Sequence, residues 1–530
     1  MAQETNIELI RELERKIEEG KGDTIELKRA RNALLKISTC VPPEILGDIF
    51  SWTLVRGDPT SGGDSRFDGF PKGSYNFLLV CHHWFEVASQ TPELWSFWGN
   101  TFDEWRQWHH RHPQVAPLDL VLKAHAPSPL TSTDYTLKDA LRDRATRDTI
   151  RQVHLWGFQE SPLSSIISLL TPVEEGVQRR SIESIDLRQW GEEDFSDLSD
   201  FFARICLPKL RSLLLHGALV LPPLDYLARQ TTLLTALSLN VIESPQSPPP
   251  TTSQLLSILV SNPSLQSLSL SGSGLPRSDE DGPIRQVTLR HLEKLYLRGD
   301  LHRVFRILDR LSFPRLLKFV EVTATNCTVQ DASQAFVPYL QLYFRPDRGL
   351  QDKLYIGAIS SSSYNFASIR VGNEDEASPF WAEFWARLAE DVPEKDIHGL
   401  CHNLITPTLR ERVRRFNTNH PPDQLEELLV TMPNIETLEL SDAVLSEGFL
   451  QPNPGGPCAG TKLLPSLRSL RFENLMVEDD DWGPLVAYLG HQTSDGKTIS
   501  LTLSDDQDPY MCPEVVKQIE DIVGEINYWE

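Results

Sequence analysis

One short frame, apolar-x-x-apolar-x-apolar, recurs along this 530-residue chain. A recurring frame constrains architecture before any local motif does. It is filled by TIRQVHL (149–155), SIESIDL (181–187), KLRSLLL (209–215), LLTALSL (233–239), SLQSLSL (264–270), HLEKLYL (291–297), NIETLEL (434–440) and SLRSLRF (466–472). The first apolar positions are Ile150, Ile182, Leu210, Leu234, Leu265 and Leu292, at steps of 24 to 32 residues; Ile435 and Leu467 are again 32 apart. Such alternation is that of a strand with one buried face, its leucines entering a core and the intervening residues pointing the other way. One such unit cannot bury its apolar face alone, whereas a stack of them can.

LLKFVEV (316–322) is a weaker member, and from 323 to 430 the frame is lost. KLYIGAI (353–359) and ASIRVGN (367–373) are the candidates there, without an assignable frame. ESPQSPPPTTS (243–253), GSGLPRSDEDGPI (272–284) and QPNPGGPCAGTK (451–462) read by composition as loops between strand and helix. Taken together the lines resemble the leucine-rich-repeat family in its long, irregular form, and several follow a proline, as in LPKL, NPSL, MPNI and LPSL. The resemblance implies an α/β fold: a solenoid over 113–530 with parallel strands, helices on the convex side and an irregular region at 323–430. The family's usual turn asparagine occurs only as Asn240 and Asn474, so irregular turns are expected.

The first 112 residues are different. Residues 1–37 alternate charges around Ile10, Leu13, Ile17, Leu27 and Leu34, with GKG (20–22) as a break. This pattern predicts two helices forming a charged arm, either packed on its own domain or pairing as a short coiled coil. VPPEILGDIF (41–50) is a helix start: proline suits the first turn, and Glu44 places negative charge at its positive end. Residues 57–75 read as a loop rich in Gly, Asp, Ser and Pro, and 77–108 are rich in aromatics.

Charge and cysteine usage narrow the partners. A net charge of −23 argues against nucleic acid and anionic membranes, which require a basic footprint. No apolar run approaches the ~20 residues of a membrane-spanning helix, and MAQETNIELIRELERK is not a secretory signal. Seven scattered cysteines without a CxxC pair point to a reducing compartment, cytoplasmic or nuclear. A protein partner is what remains. Phosphate loops, a GxSxG elbow, HExxH and close catalytic sets are all missing, so neither an enzyme nor a cofactor is expected. His109, His110 and His112 lack an acidic or cysteine ligand at a recognised spacing, and a packed helical surface is the better reading than a metal site. Cys401–His402 reads as a small buried hydrophobe, and the acidic clusters EDDDW (478–482) and SDDQD (504–508) as solvated turns.

VPPEILGDIF followed by FLLVCHHWFEVASQTPELWSFW resembles an F-box, more narrowly the form abundant in mushroom-type fungi. The matching residues are Pro42, Glu44, Ile45, Leu46, Ile49 and Phe50, then Leu79, Val80, Cys81, Trp84, Ala88, Thr91, Pro92, Leu94 and Trp95; Val41 stands where the family usually has leucine. The likeness covers about 38–98, within a helical module at 38–112. It implies docking on the Skp adaptor of a cullin–RING ubiquitin ligase through Val41, Pro42, Glu44, Ile45, Leu46, Ile49, Phe50, Val80, Trp84, Leu94 and Trp95, with the repeats holding a protein substrate. Independently, Ile45, Leu46, Ile49 and Phe50 make one helical stripe, which either meets a partner's groove or packs inside the module. On the outward strand positions, Arg188, Lys294, Tyr296 and Arg298 are the substrate-binding candidates, because Tyr and Arg dominate binding hot spots. Three readings follow: a substrate adaptor without catalysis, a repeat scaffold outside ubiquitination, or a hydrolase or transferase concealed in 323–430.

Overall fold

The computed structural model describes residues 2–20, 23–34, 41–53, 80–91, 97–98, 118–123, 141, 148–158, 160–171, 177–178, 182–189, 196–243, 248–277, 286–313, 317–343, 353–361, 364–373, 380–388, 413–418, 426–441, 444–445, 463–473, 475–477, 482–494, 496–504 and 512–529. The protein is mixed α/β with extensive parallel sheet. It divides into two compact units, Met1–Leu234 with Ser244–Ser247, and Thr235–Glu243 with Pro248–Glu530.

In the first unit the charged arm is two helices, α1 (Ala2–Glu18) and α2 (Thr24–Ala33), which pack on each other. Arg15 ties Glu12 and Glu19 along α1, at 2.8 and 2.6 Å. Helix α3 (Pro43–Thr53) starts at the two prolines, its first turn closed by the Leu46 N–H donating to the Pro42 carbonyl at 2.9 Å. Helix α4 (His82–Gln90) packs on α3 and α2. The Asn32 amide donates to the Val80 carbonyl at 2.7 Å, so the arm folds onto its own module.

The strands of this unit run β1 (Phe97–Trp98), β2 (Leu118–Lys123), β3 (Ile150–Phe158), β4 (Ser184–Gln189) and β5 (Ser212–Gly217), each parallel to the next. Helix α5 (Glu160–Leu170) follows β3, α6 (Ser199–Arg204) follows β4 and α7 (Leu224–Gln230) follows β5. The leucine frame explains the register: Leu120, Val153, Ile185 and Leu213 form one buried row and Leu122, Leu155, Leu187 and Leu215 the next.

The second unit repeats the scheme. Strands β6 (Ala236–Val241), β7 (Ser267–Gly272), β8 (Lys294–Asp300) and β9 (Phe319–Cys327) are parallel in chain order, with α8 (Thr252–Ser261) after β6 and α9 (Leu301–Leu308) after β8. Side-chain caps start both α8 and α9. The Thr251 hydroxyl accepts from the Gln254 N–H at 3.1 Å while the Gln254 side chain accepts from the Thr251 N–H at 2.9 Å, a capping box. Asp300 caps α9 by accepting from the His302 N–H at 3.0 Å.

Helix α10 (Val329–Tyr343) leads into the region whose frame could not be read. There β10 (Lys353–Ser361), β11 (Tyr364–Asn373) and β12 (Phe380–Leu388) form an antiparallel meander inserted in reverse order: β12 pairs parallel with β9, and β10 pairs parallel with β13 (Arg415–Thr418). Parallel succession then resumes through β14 (Thr437–Ser441), β15 (Ser469–Glu473), β16 (Ser500–Ser504) and β17 (Ile526–Trp529), with α11 (Glu426–Val430), α12 (Gly483–Thr493) and α13 (Pro513–Val523) between them. Strand β13 escaped the frame because Val413 and Phe416 fill its first two apolar positions but the third is Thr418, a buried hydroxyl in register with Leu440.

Glycine is required where the chain leaves a strand. Gly217 has φ +93°, and a Cβ there would lie 2.0 Å from the Gln189 carbonyl oxygen; Gly272, at φ +54°, stands in the same relation to Val241. Gly217→Ala therefore combines ~1–3 kcal/mol of backbone strain with ~1–3 kcal/mol of forced displacement. Urea unfolding of the variant is expected to show a midpoint shifted down accordingly, and an unshifted midpoint would remove this account of the turn.

Candidate docking surfaces

The stripe on α3 is split by its own helical geometry. Residues four apart share a row, and adjacent rows are about 100° apart. Leu46 and Phe50 form the inward row, each 1% exposed; Ile45 and Ile49 form the outward row, 50% and 41% exposed. Phe50 meets Trp84 with ring centroids 5.1 Å apart, and Trp84 is half-buried. Gly47 lets α3 approach closely, since a Cβ there would sit 3.0 Å from the Thr91 hydroxyl. Leu46 and Phe50, expected from the family likeness to meet an adaptor, are thus core residues of the module. Pro42 and Glu44 are exposed, and Val41 and Val80 half-buried. Leu94 and Trp95 lie outside the described residues. Phe85 on α4, 44% exposed, was not singled out from sequence, because no periodic signal distinguishes it from Trp84.

The outward face of the first unit departs from the expectation that its intervening positions are open. In register across β2, β3, β4 and β5 lie Asp119, Gln152, Ser184 and Ser212; then Val121, His154, Asp186 and Leu214; then Lys123, Trp156, Arg188 and His216. Asp119, His154, Asp186, Trp156 and Leu214 are all buried. Arg151 donates to both carboxylate oxygens of Asp119 at 3.0 and 2.8 Å. Arg188 donates in the same two-pronged way to Asp186 at 3.0 and 3.1 Å and lies 4.7 Å over the Trp156 ring. Arg188 is therefore held from within the chain by Asp186 and Trp156, with 29% of its side chain exposed.

Two histidines sit beside these carboxylates. His154 places its Nε2 3.4 Å from the Ser184 hydroxyl. Burial is the main influence on both: it lowers His154 and brings His216 down to about 4, against the opposing pull of Asp186. The unfolded chain takes up the His216 proton near 6.5, whereas the folded chain resists it until about 4. Stability from this group is consequently complete above pH 6.5 and lost as the pH falls toward 4, by about 3 kcal/mol at about 1.4 kcal/mol per unit. The urea midpoint is expected to fall between pH 7 and 4.5, and to fall less in His216→Gln; equal slopes in the two proteins would exclude His216 as a contributor.

In the second unit the outward face is lower and more open. Beside β8 lie Ser267, Ser269 and Ser271 of β7, and Ser269 exchanges hydrogen bonds with Asn240 at 3.0 and 3.1 Å. Tyr296 stacks on Phe319 with ring centroids 4.8 Å apart and planes 27° from parallel. Lys294 is half-buried and Arg298 exposed. Next to Lys294 in sequence, Glu293 is paired with Lys318 at 2.8 Å.

His109, His110, His112, Cys401 and His402 lie outside the described residues. Among the described residues no His, Cys, Asp and Glu side chains group as metal ligands, and no helix is long and apolar enough to cross a membrane. Of the cysteines described, Cys81, Cys206, Cys327 and Cys512 are unbridged. No protein-family model matches the chain, and no curated protein matches it.

Proposed function

We propose that the chain is the substrate-recognition adaptor of a Skp–cullin–F-box ubiquitin ligase, working in the cytoplasm or nucleus without catalytic chemistry of its own. In this reading the helical module is an F-box, and the succession of in-register strands and helices is a leucine-rich-repeat solenoid that holds a protein substrate.

The observation that carries the reading is the divided stripe on α3. A module that needed Ile45 and Ile49 only for its own core would bury them; instead they stand outward beside the buried Leu46 and Phe50, the latter packed against Trp84. An outward pair of β-branched residues one turn apart, next to an exposed Pro42 at the helix start, suits a helix laid in a partner's apolar groove. The ordered VCHHW and PELW segments that follow support the same family. The test is direct binding of purified Skp adaptor to the purified chain. A stoichiometric complex is expected; failure to form one leaves the alternative, a repeat scaffold acting outside ubiquitination.

A further inference from the structure

We propose that the outward face of β7 and β8 binds an extended peptide carrying two acidic residues four positions apart with an aromatic or large apolar residue midway between them. The proposal deepens the substrate-recognition reading by naming the class of segment that the repeats hold.

The spacing comes from the strand itself. Lys294, Tyr296 and Arg298 alternate along β8 and so share one face, at about 6.7 Å per step and about 13 Å from first to last. An extended peptide lying along the strand presents its alternate side chains at the same interval. Its residues i, i+2 and i+4 therefore come opposite Lys294, Tyr296 and Arg298 in either chain direction. The Tyr296 ring is already fixed by its stack on Phe319, so it offers an aromatic surface at little further entropic cost.

The floor beside this row is low. Ser267, Ser269 and Ser271 stand in register with Lys294, Tyr296 and Arg298, and the Asn240–Ser269 hydrogen bonds hold that floor down. On the other side Glu321 is in register with Tyr296, which places an acidic peptide on the β7 side of the tyrosine. Among the described residues neither Lys294 nor Arg298 has an ion pair within the chain, whereas nearby Lys318 does. Two cations in a chain of net charge −23 attract a short acidic segment but give no footprint for a polyanion such as nucleic acid.

The experiment is a fluorescence-anisotropy titration of the full chain, without adaptor, using a labelled peptide Ser-Gly-Ser-Glu-Ser-Phe-Ser-Glu-Ser-Gly-Ser. Saturable binding is expected, weakened about threefold to fivefold by Lys294→Glu or Arg298→Glu and about tenfold by Tyr296→Ala. Moving the two Glu to three positions apart puts them on opposite faces and is expected to abolish the preference. A peptide with Lys in place of both Glu is expected to bind the Lys294→Glu/Arg298→Glu double variant better than the wild type, a gain that a misfolded variant would not show. Absence of saturable binding, indifference to the acid spacing, or unchanged affinity in the double variant would each overturn the proposal. Because no adaptor is present, these outcomes are independent of whether α3 docks on Skp.

Discussion

Arg188→Met is expected to destabilise the first unit by about 3–5 kcal/mol, the cost of leaving a buried charge without its partner. The asymmetry of the pair decides this. Asp186 is fully buried, while Arg188 keeps 29% of its side chain exposed. Removing the arginine strands the carboxylate in the interior, whereas removing the carboxylate leaves an arginine that can turn toward water. Met preserves apolar contact with the Trp156 ring, so the loss reports on charge rather than on packing. Asp186→Leu is accordingly expected to cost less than Arg188→Met, and the double variant to recover much of the loss, since an apolar pair of similar volume suits a buried site. Urea unfolding at pH 7 measures all three. A cost below about 1 kcal/mol for Arg188→Met would mean that the pair behaves as a surface salt bridge.

The second large effect concerns binding. Ile45→Asp combined with Ile49→Asp is expected to weaken association with purified Skp adaptor by about a hundredfold, ~2.8 kcal/mol for the loss of a central anchor pair. Both side chains point outward, so the variant should keep its helical signal and unfold within ~0.5 kcal/mol per site of the parent. Leu46→Ala is expected to do the opposite: it opens the core beneath the helix and costs about 2–5 kcal/mol of stability. A double aspartate variant that still binds the adaptor at parental affinity would end the adaptor proposal, whatever Leu46→Ala does.

Much of the sheet was legible because its signal is periodic and local. Each leucine line runs into a strand, LLKFVEV likewise runs into β9, and KLYIGAI and ASIRVGN lie within β10 and β11. What the lines could not convey was the direction and order of β10, β11 and β12. Alternation reads the same along a parallel and an antiparallel strand, so the reversal of the meander between β9 and β13 has no mark in composition. The helix start at Pro42–Pro43 was equally legible, since proline restricts its own backbone whatever surrounds it.

The candidate surfaces were only half legible, for a related reason. A stripe of four apolar residues on α3 is visible in EILGDIF, but only the presence of Trp84 against Phe50 decides which row is core and which is offered outward. On the strands of the first unit, period alone places Asp119, His154, Asp186 and Arg188 on the non-leucine face. It does not reveal that three of them are buried, nor that Asp119 and Asp186 are each gripped by an arginine. The sequence by itself determined the repeat period, the face on which the residues of each leucine line lie and the start of α3, because these depend on local backbone geometry. Tertiary structure alone decided which polar residues on that face are buried and paired and which apolar ones remain exposed, because burial depends on neighbours brought in from distant parts of the chain.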